Sequence, residues 1–580
     1  MKKKGIKELL SKLLPYVRPH KTVFFLSVIF DIIAIALNMT IPIFSGLAID
    51  CMVGIANVNF HLLIEYLVII IILSAFSSFF SWLGEYYMNI LTYKTGESIR
   101  NALYNKINNV PIKYIDNHSH GDIMNTMSAD VENVTDGFLS GFKAIVCGVF
   151  QLLVIMVIMF VMRWTLALIV IVIAPLSLVL AIMITKKSKR LYKQRVEVQG
   201  DLSGFAEEMM TNMKVIKAFN DEKNTVEKFN TYNKKMYTAS EKSVFYASLA
   251  NPASRLVNGI LYGVIGVIGA FMVMNGTIKI GRVSSFLSYS DNFTKPFNDL
   301  TSIFADLNIA IASATRVFEM LEEENEINDS KLPNLKKCDG TVDLKDVEFS
   351  YEKSFKLIEN LNLNVKQGQR VAIVGPTGCG KSTIINLLMR FYDVDSGSIK
   401  VSKKDIRKVT RKSFRSFYGM VLQESWLYNA SVKDNVAYGK PDASMDEIIE
   451  ACKLANAHAF IEKLPDGYNT IITERADNIS AGQKQLLCIA RIMLLRPPMM
   501  ILDEATSNID TRTEMKIQQA LDIIMEGRTC FIVAHRLSTI ENADTILVMN
   551  KGHIVEQGNH KELLAKKGFY YELFNSQFGV

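Results

Sequence analysis

The chain has 580 residues, enough for two to four domains, with 49% hydrophobic residues and a mean hydropathy of +0.17. Its 65 Lys and Arg against 58 Asp and Glu leave a mild net charge of +7, without the concentrated basic patches of a nucleic-acid binder. Together these exclude a purely soluble enzyme, a disordered chain and a disulfide-stapled secreted module, and the seven cysteines, with no CxxC spacing, read as free thiols in a reducing compartment.

The basic Met1-Lys2-Lys3-Lys4 precedes a stretch, Ile6 to Val17, that mixes Leu with Lys and Glu. This predicts an amphipathic helix on the inner membrane surface, within residues 1–21. Apolar runs follow at roughly 22–43, 62–88, 142–162, 165–185, 256–274 and 283–312. Each is long enough to cross the ~30 Å hydrocarbon core as a helix. The sixth is the least apolar, with Ser284, Ser285, Ser288, Ser290, Asp291 and Asn292, and a polar face on a spanning helix predicts a cavity lining. Asp31 in the first run and Asp291 in the sixth are candidates to attract a cationic amphiphile; structural pairing is equally open. The four glycines Gly259, Gly263, Gly266 and Gly269 predict tight helix packing within the bundle.

The connections alternate in charge. Cys51–His61 carries no Lys or Arg, whereas the next long loop carries Lys94, Arg100, Lys106 and Lys113, and Lys186 to Arg195 follow the fourth run. The positive-inside rule therefore places the long loops and both termini in the cytoplasm. Pro111–Asn117 and Asn220–Glu227, near the turning points of those loops, are candidate short helices that touch a soluble domain. The membrane domain is read as 22–320, a charged linker as 321–340 and the soluble domain as 341–580.

That soluble domain carries the chemistry. Gly375-Pro376-Thr377-Gly378-Cys379-Gly380-Lys381-Ser382-Thr383 stands between the strand Val371–Val374 and an apolar helix. Backbone N–H groups of such a loop wrap phosphate oxygens, with Lys381 on the β/γ phosphates and Ser382 on Mg2+. The same N–H groups predict a lowered pKa for Cys379 and reaction with a maleimide. Met499 to Glu504 is an apolar strand ending in two carboxylates. Asp503 suits Mg2+, and Glu504 suits orienting or deprotonating an attacking water. Asn478-Ile479-Ser480-Ala481-Gly482-Gln483 opens a further helix.

With that last element the whole chain resembles a B-type ABC exporter half-transporter, most like the catalytic-Glu subunit of heterodimeric bacterial multidrug exporters. The resemblance implies an α-helical membrane domain of six long transmembrane helices joined to an α/β P-loop NTPase domain. It implies that Tyr351 stacks on adenine, that Gln423 is the Q-loop glutamine and a Mg2+ ligand, that Ser507–Asp510 is the D-loop, and that His535 acts beside Glu504 in catalysis. ATP is then sandwiched between one subunit's phosphate loop and the signature of the other, here Ser480, Ala481, Gly482 and Gln483. The family's usual signature is LSGGQ. Ala481 departs from it by adding a Cβ where glycine allows close approach to phosphate, as do Thr473–Asp477 before it and Asn508 in the D-loop. These departures point to a heterodimer, with a homodimer second. The implied activity is ATP-driven export of hydrophobic or amphipathic compounds across the cell membrane by alternating access. Lipid or peptide export is the alternative, and an ATP-gated channel or regulatory subunit is opposed by the intact Glu504 and His535. The implied partners are a second exporter half, membrane lipid and a small amphipathic substrate, with no nucleic acid.

Overall fold

A computed structural model describes residues 6–52, 58–352, 356–422, 425–473, 478–503, 509–534 and 537–578. The chain divides into two compact units, Met1–Asn109 with His118–Glu323, and Val110–Asn117 with Glu324–Val580.

The first unit is all helix. The amphipathic N-terminal segment is the helix Ile6–Val17, which buries Leu9 and Leu13 and exposes Leu10 and Leu14. The first two spans are Lys21–Asp50 and Phe60–Ile107, the latter started by Asn59, whose side chain accepts from the Leu62 N–H. Its 48 residues make a helix about 72 Å long, more than twice the hydrocarbon thickness. Spans three and four are separated at Arg163, whose φ of −167° and ψ of 104° interrupt the helix Gly141–Ile173. The fourth continues through Pro175–Thr211, and the fifth and sixth are Ala250–Met274 and Ile280–Glu322. By length and apolarity alone four helical stretches qualify as spans among the described residues: one runs through Arg163, and the sixth helix is too polar to count.

The polar face of that sixth helix is used differently from expectation. Ser285 donates to the Pro42 carbonyl at 2.7 Å and the buried Tyr289 donates to that of Met39 at 2.5 Å. These two hydroxyls are therefore packed against the first span, where hydroxyl-to-carbonyl bonds hold two helices together. Ser288 and Asp291, on the same helix, are exposed. Close approach of the two backbones at Gly46 and Gly281 completes this seam, since a Cβ on either would collide with the other helix. Asp50 accepts from the Gly281 N–H at 2.7 Å. The fifth helix also departs from expectation. Gly269 meets Val283 closely, but a Cβ on Gly259, Gly263 or Gly266 would meet nothing within 4 Å.

Ion pairs cross the bundle. Lys143 Nζ stands 2.7 Å from Asp31 and 2.9 Å from Glu85. Asp31 thus has the structural pairing that its sequence left open. Asp291, by contrast, is 57% exposed and lies 3.5 Å from Lys295, one helical turn on. Arg316 pairs with the buried Asp130, which Ser313 also reaches at 2.8 Å.

The two loop turns separate. The short helix Ile112–Asp116 belongs to the second unit, as expected, whereas residues 220–227 stay with the first, where Asn220 at φ 53° ends the helix Met213–Phe219.

The second unit holds two sheets. One is antiparallel in the order β2-β1-β4-β5, from β1 Val342–Phe349, β2 Ile358–Val365, β4 Ser396–Val401 and β5 Lys404–Asp405. The other adds β3 Arg370–Val374, β6 Tyr418–Val421, β7 Met499–Asp503, β8 Thr529–Val533, β9 Thr545–Asn550 and β10 His553–Gly558 in the order β10-β9-β3-β8-β7-β6. It is parallel from β9 to β6. Its central strands are continuous apolar runs because both faces are buried. Alternate residues feed two cores. Val371 and Ile373 face one together with the helix Lys381–Leu388, while Ala372 and Val374 face the other together with the helix Ala481–Leu495. The segment 324–340 belongs to this unit: Arg411 donates to Asp329 and to the Ile327 carbonyl, and stands 3.0 Å from Glu326.

Candidate nucleotide site

The parallel sheet sets the site. In such sheets ligands bind at the carboxyl ends of the strands. β3 ends in the phosphate loop, whose backbone follows from its glycines. Gly378 at φ 81° and Gly380 at φ 101° take left-handed conformations that side chains disfavour. Gly375 is excluded from change by space, because a Cβ there would collide with the Met549 carbonyl. Pro376, Thr377, Gly378 and Ser382 are exposed, while Thr383 is buried and anchors the helix start. Lys381, itself buried, donates to the carbonyls of Gly375 at 2.7 Å and Pro376 at 3.1 Å. A buried ammonium over exposed loop N–H groups is a cradle for an anion, and the residues fit a phosphate chain.

Cys379 corrects one expectation. Its side chain turns away from the exposed loop into the apolar core, at 3% exposure. Burial pushes the thiol up, and the opposing effect of Lys381 does not outweigh it.

Asp503 arrives at the end of β7. Val533 of β8 is paired with Ile373 on one side and Asp503 on the other. Asp503 is therefore level with the end of β3, two strands or about 10 Å away across the sheet. Glu504, His535 and Gln423 lie outside the described residues, as do Ser507, Asn508 and residues 474–477. They follow Asp503, Ala534 and Leu422 in the chain, after the carboxyl ends of β7, β8 and β6.

Tyr351 follows β1 and is tied to the phosphate-loop helix, whose Asn386 donates to its hydroxyl at 3.0 Å. Its ring packs edge-on with Phe349 and Tyr392, each at 4.9 Å between centroids.

Ser480 is the N-cap of the helix Ala481–Leu495, in a reciprocal capping box with Gln483. Ala481 is exposed at its first turn. Gly482 is buried, and a Cβ there would collide with Thr513. That contact sets the signature against the helix Thr511–Met525, which Asp510 caps by accepting from the Thr513 N–H at 3.0 Å. The same N–H holds the Asp510 carboxyl below its usual range.

The structure therefore brings Tyr351 to the phosphate-loop helix and Asp503 to the same sheet edge. It places Ser480 to Gln483 on a helix of the opposite face. Sequence reasoning missed Tyr392 and Arg411. Their partners are far away in the chain, and no local spacing signals them.

Residues 24–297 match the family of ABC transporter transmembrane regions, and residues 358–507 match the ABC transporter family. The chain belongs to the ABC exporter half-transporters. An uncharacterized ABC transporter ATP-binding protein of Bacillus subtilis is 37% identical over 578 residues, covering 100% of this chain and 95% of the relative. A fatty acid ABC transporter ATP-binding/permease protein of Mycobacterium bovis is 38% identical, over 85% of this chain and 78% of the relative. A Staphylococcus aureus protein named for multidrug export is 33% identical, over 98% of this chain and 100% of the relative. The half-transporter is accordingly an ATPase coupled to transport, built as a membrane-embedded helical domain fused to an ATP-binding α/β domain.

Proposed function

We propose that this half-transporter, paired with a second half, exports hydrophobic or amphipathic compounds of the multidrug type from the cytoplasm by alternating access. The observation that carries the paired site is the division of motifs between two faces of one sheet. The phosphate-loop helix packs on one face and the signature helix on the other. A nucleotide on Lys381 and Ser382 is then completed by the signature of a partner. In this reading Lys381 binds the phosphates, Tyr351 holds the base, and Ser382, Gln423 and Asp503 hold Mg2+, which neutralises phosphate charge. Glu504 orients the water and His535 assists it. Ser480 and Gln483, locked in their capping box, present the first turn of their helix to the partner's nucleotide. The exposed Cβ of Ala481 lies on that presented turn, which supports a weakened second site and a heterodimer. The nucleotide domain and both termini are cytoplasmic, and Asp291, the more exposed of the two candidate anions, is the one available to a cationic amphiphile.

Fatty acid or lipid export is the second reading, favoured by the name of the mycobacterial relative. Inside-out membrane vesicles holding the co-expressed pair separate the two. External MgATP drives the cationic dye Hoechst 33342 into the lumen, vanadate blocks it, and Lys381→Met abolishes it. Movement of a fluorescent fatty acid without dye movement transfers the assignment to the second reading. Movement of neither sinks both.

A further inference from the structure

A cavity lies within the membrane domain. Its volume is about 610 Å3, in the range of sites for small ligands. It is built from the end of the first span, the end of the third, and the turn from the fifth span into the sixth. Leu47, Val161 and Met162 give it an apolar wall, of which Leu47 and Val161 are exposed. Lys279 and Arg282 give it two exposed cations. Neither forms an ion pair among the described residues. The carboxylate in the lining, Asp50, accepts from the Gly281 N–H at 2.7 Å and is held there at the start of the sixth helix.

These charges run against the trend of the chain. Lys279 and Arg282, with Arg163, are the Lys and Arg residues of the connections 44–61, 163–164 and 275–282. In the proposed orientation those connections face outward, the side that the positive-inside bias leaves poor in cations. All three stand at or beside this cavity. Arg163 follows Met162 of the wall, and its Nε is buried with no hydrogen-bond partner. Unpaired cations beside an apolar wall fit an anion that carries a hydrocarbon tail. A carboxylate or phosphate head forms charge-assisted hydrogen bonds with both cations, and the guanidinium of Arg282 can take two oxygens at once. The tail removes Leu47, Val161 and Met162 from water. A small hydrophilic anion leaves that wall bare, and a cationic amphiphile is repelled. We propose that this cavity is an outer-side binding site for an anionic amphiphile, a fatty acid or an acidic phospholipid, with Lys279 and Arg282 on its head. The site stands apart from the proposed export of cationic compounds. Only its outward placement rests on the proposed orientation.

The test is photo-crosslinking of the purified full-length protein in detergent with a diazirine-bearing palmitic acid, mapped by peptide mass spectrometry. Adducts are expected in residues 43–50 and 161–162. Oleate competes with them, and its uncharged methyl ester does not. Lys279→Gln combined with Arg282→Gln lowers the labelling there about tenfold, the loss of two charge-assisted hydrogen bonds. Thermal stability and basal ATP turnover stay unchanged in that variant, and Lys279→Arg, which keeps the charge, labels like the wild type. Unchanged labelling in the double variant, equal competition by methyl oleate, or no adduct in these residues of the wild type means a solvated rim on an apolar surface and overturns the proposal. Competition by phosphatidylglycerol as well as by oleate assigns the site to the head of a membrane lipid, and competition by oleate alone assigns it to a free fatty acid. A separate readout keeps the orientation apart. Lys279→Cys, in a Cys51→Ser background, is labelled by an impermeant maleimide outside whole cells. If it is not, the outward placement falls while the crosslinking result decides the site.

Discussion

Cys379 shows how a residue's neighbours in space override its neighbours in sequence. The phosphate loop supplies N–H groups that would favour a thiolate, but the side chain faces Ile384, Met549 and the rest of the apolar core. Desolvation disfavours the charged form and wins. The thiol is then less ionised than an ordinary one at the same pH. Mass spectrometry of the purified chain treated with a maleimide at about pH 7.5 should find Cys338, which is half-buried, modified well before Cys379. Because the thiol is pushed up, labelling of Cys379 should grow only as pH rises past the usual thiol range. Rapid labelling at pH 7, with protection by MgATP, would restore the reading from sequence. Asp130 illustrates the opposite balance. Burial would raise it, but hydrogen bonds from Arg316 and Ser313 outweigh burial and hold it below its usual range.

At the scale of elements, the glycines divide by what lies opposite them. Gly46 and Gly281 place two helix backbones in contact, and a methyl at either has nowhere to go. Gly263 sits on a helix surface with nothing within 4 Å. Gly281→Ala should therefore destabilise the bundle by about 1–3 kcal/mol through overpacking. Gly263→Ala should be neutral or stabilise its helix by about 0.5–1 kcal/mol. Thermal unfolding of the detergent-purified variants, read by the yield of monodisperse protein after heating, distinguishes them. Equal losses in both would show that the fifth helix packs its glycines after all. Spacing alone does not make this distinction, since GxxxG says that a close approach is possible and not that a partner is present.

For the whole molecule, the proposed assembly starts from the sheet. The phosphate loop and the signature belong to opposite faces of one domain, and in the proposed pairing a single chain then carries halves of two different sites. Losing a water-orienting group typically costs on the order of 10²-fold or more. Glu504→Gln should nearly abolish steady-state ATP turnover while ATP still binds. Ser480→Ala should cost about a few-fold, because it removes only the cap of a helix that in the proposed heterodimer serves the weaker site. The chain purified without its partner should turn over slowly. Brisk turnover by the single chain, with Ser480→Ala as damaging as Glu504→Gln, would mean two equivalent sites and a homodimer.

The apolar runs and the phosphate loop were legible in the amino-acid order because each is a local demand. About 20 consecutive apolar residues suffice to cross a bilayer, and the left-handed turns at Gly378 and Gly380 are met by glycines at fixed spacing. The break at Arg163 falls in the gap between the third and fourth of those runs. What each polar group touches was settled only by tertiary structure. Ser285 meets Pro42 across 243 residues and Tyr392 meets Asp116 across 276. Periodicity gives each helix a face, but which neighbour that face meets depends on rotation and register set by the packing of the whole bundle. That is why Ser285, on the polar stripe of the sixth helix, gave no sign in the sequence that it meets the first span, and why Tyr392 carried no signal until its two partners were placed beside it.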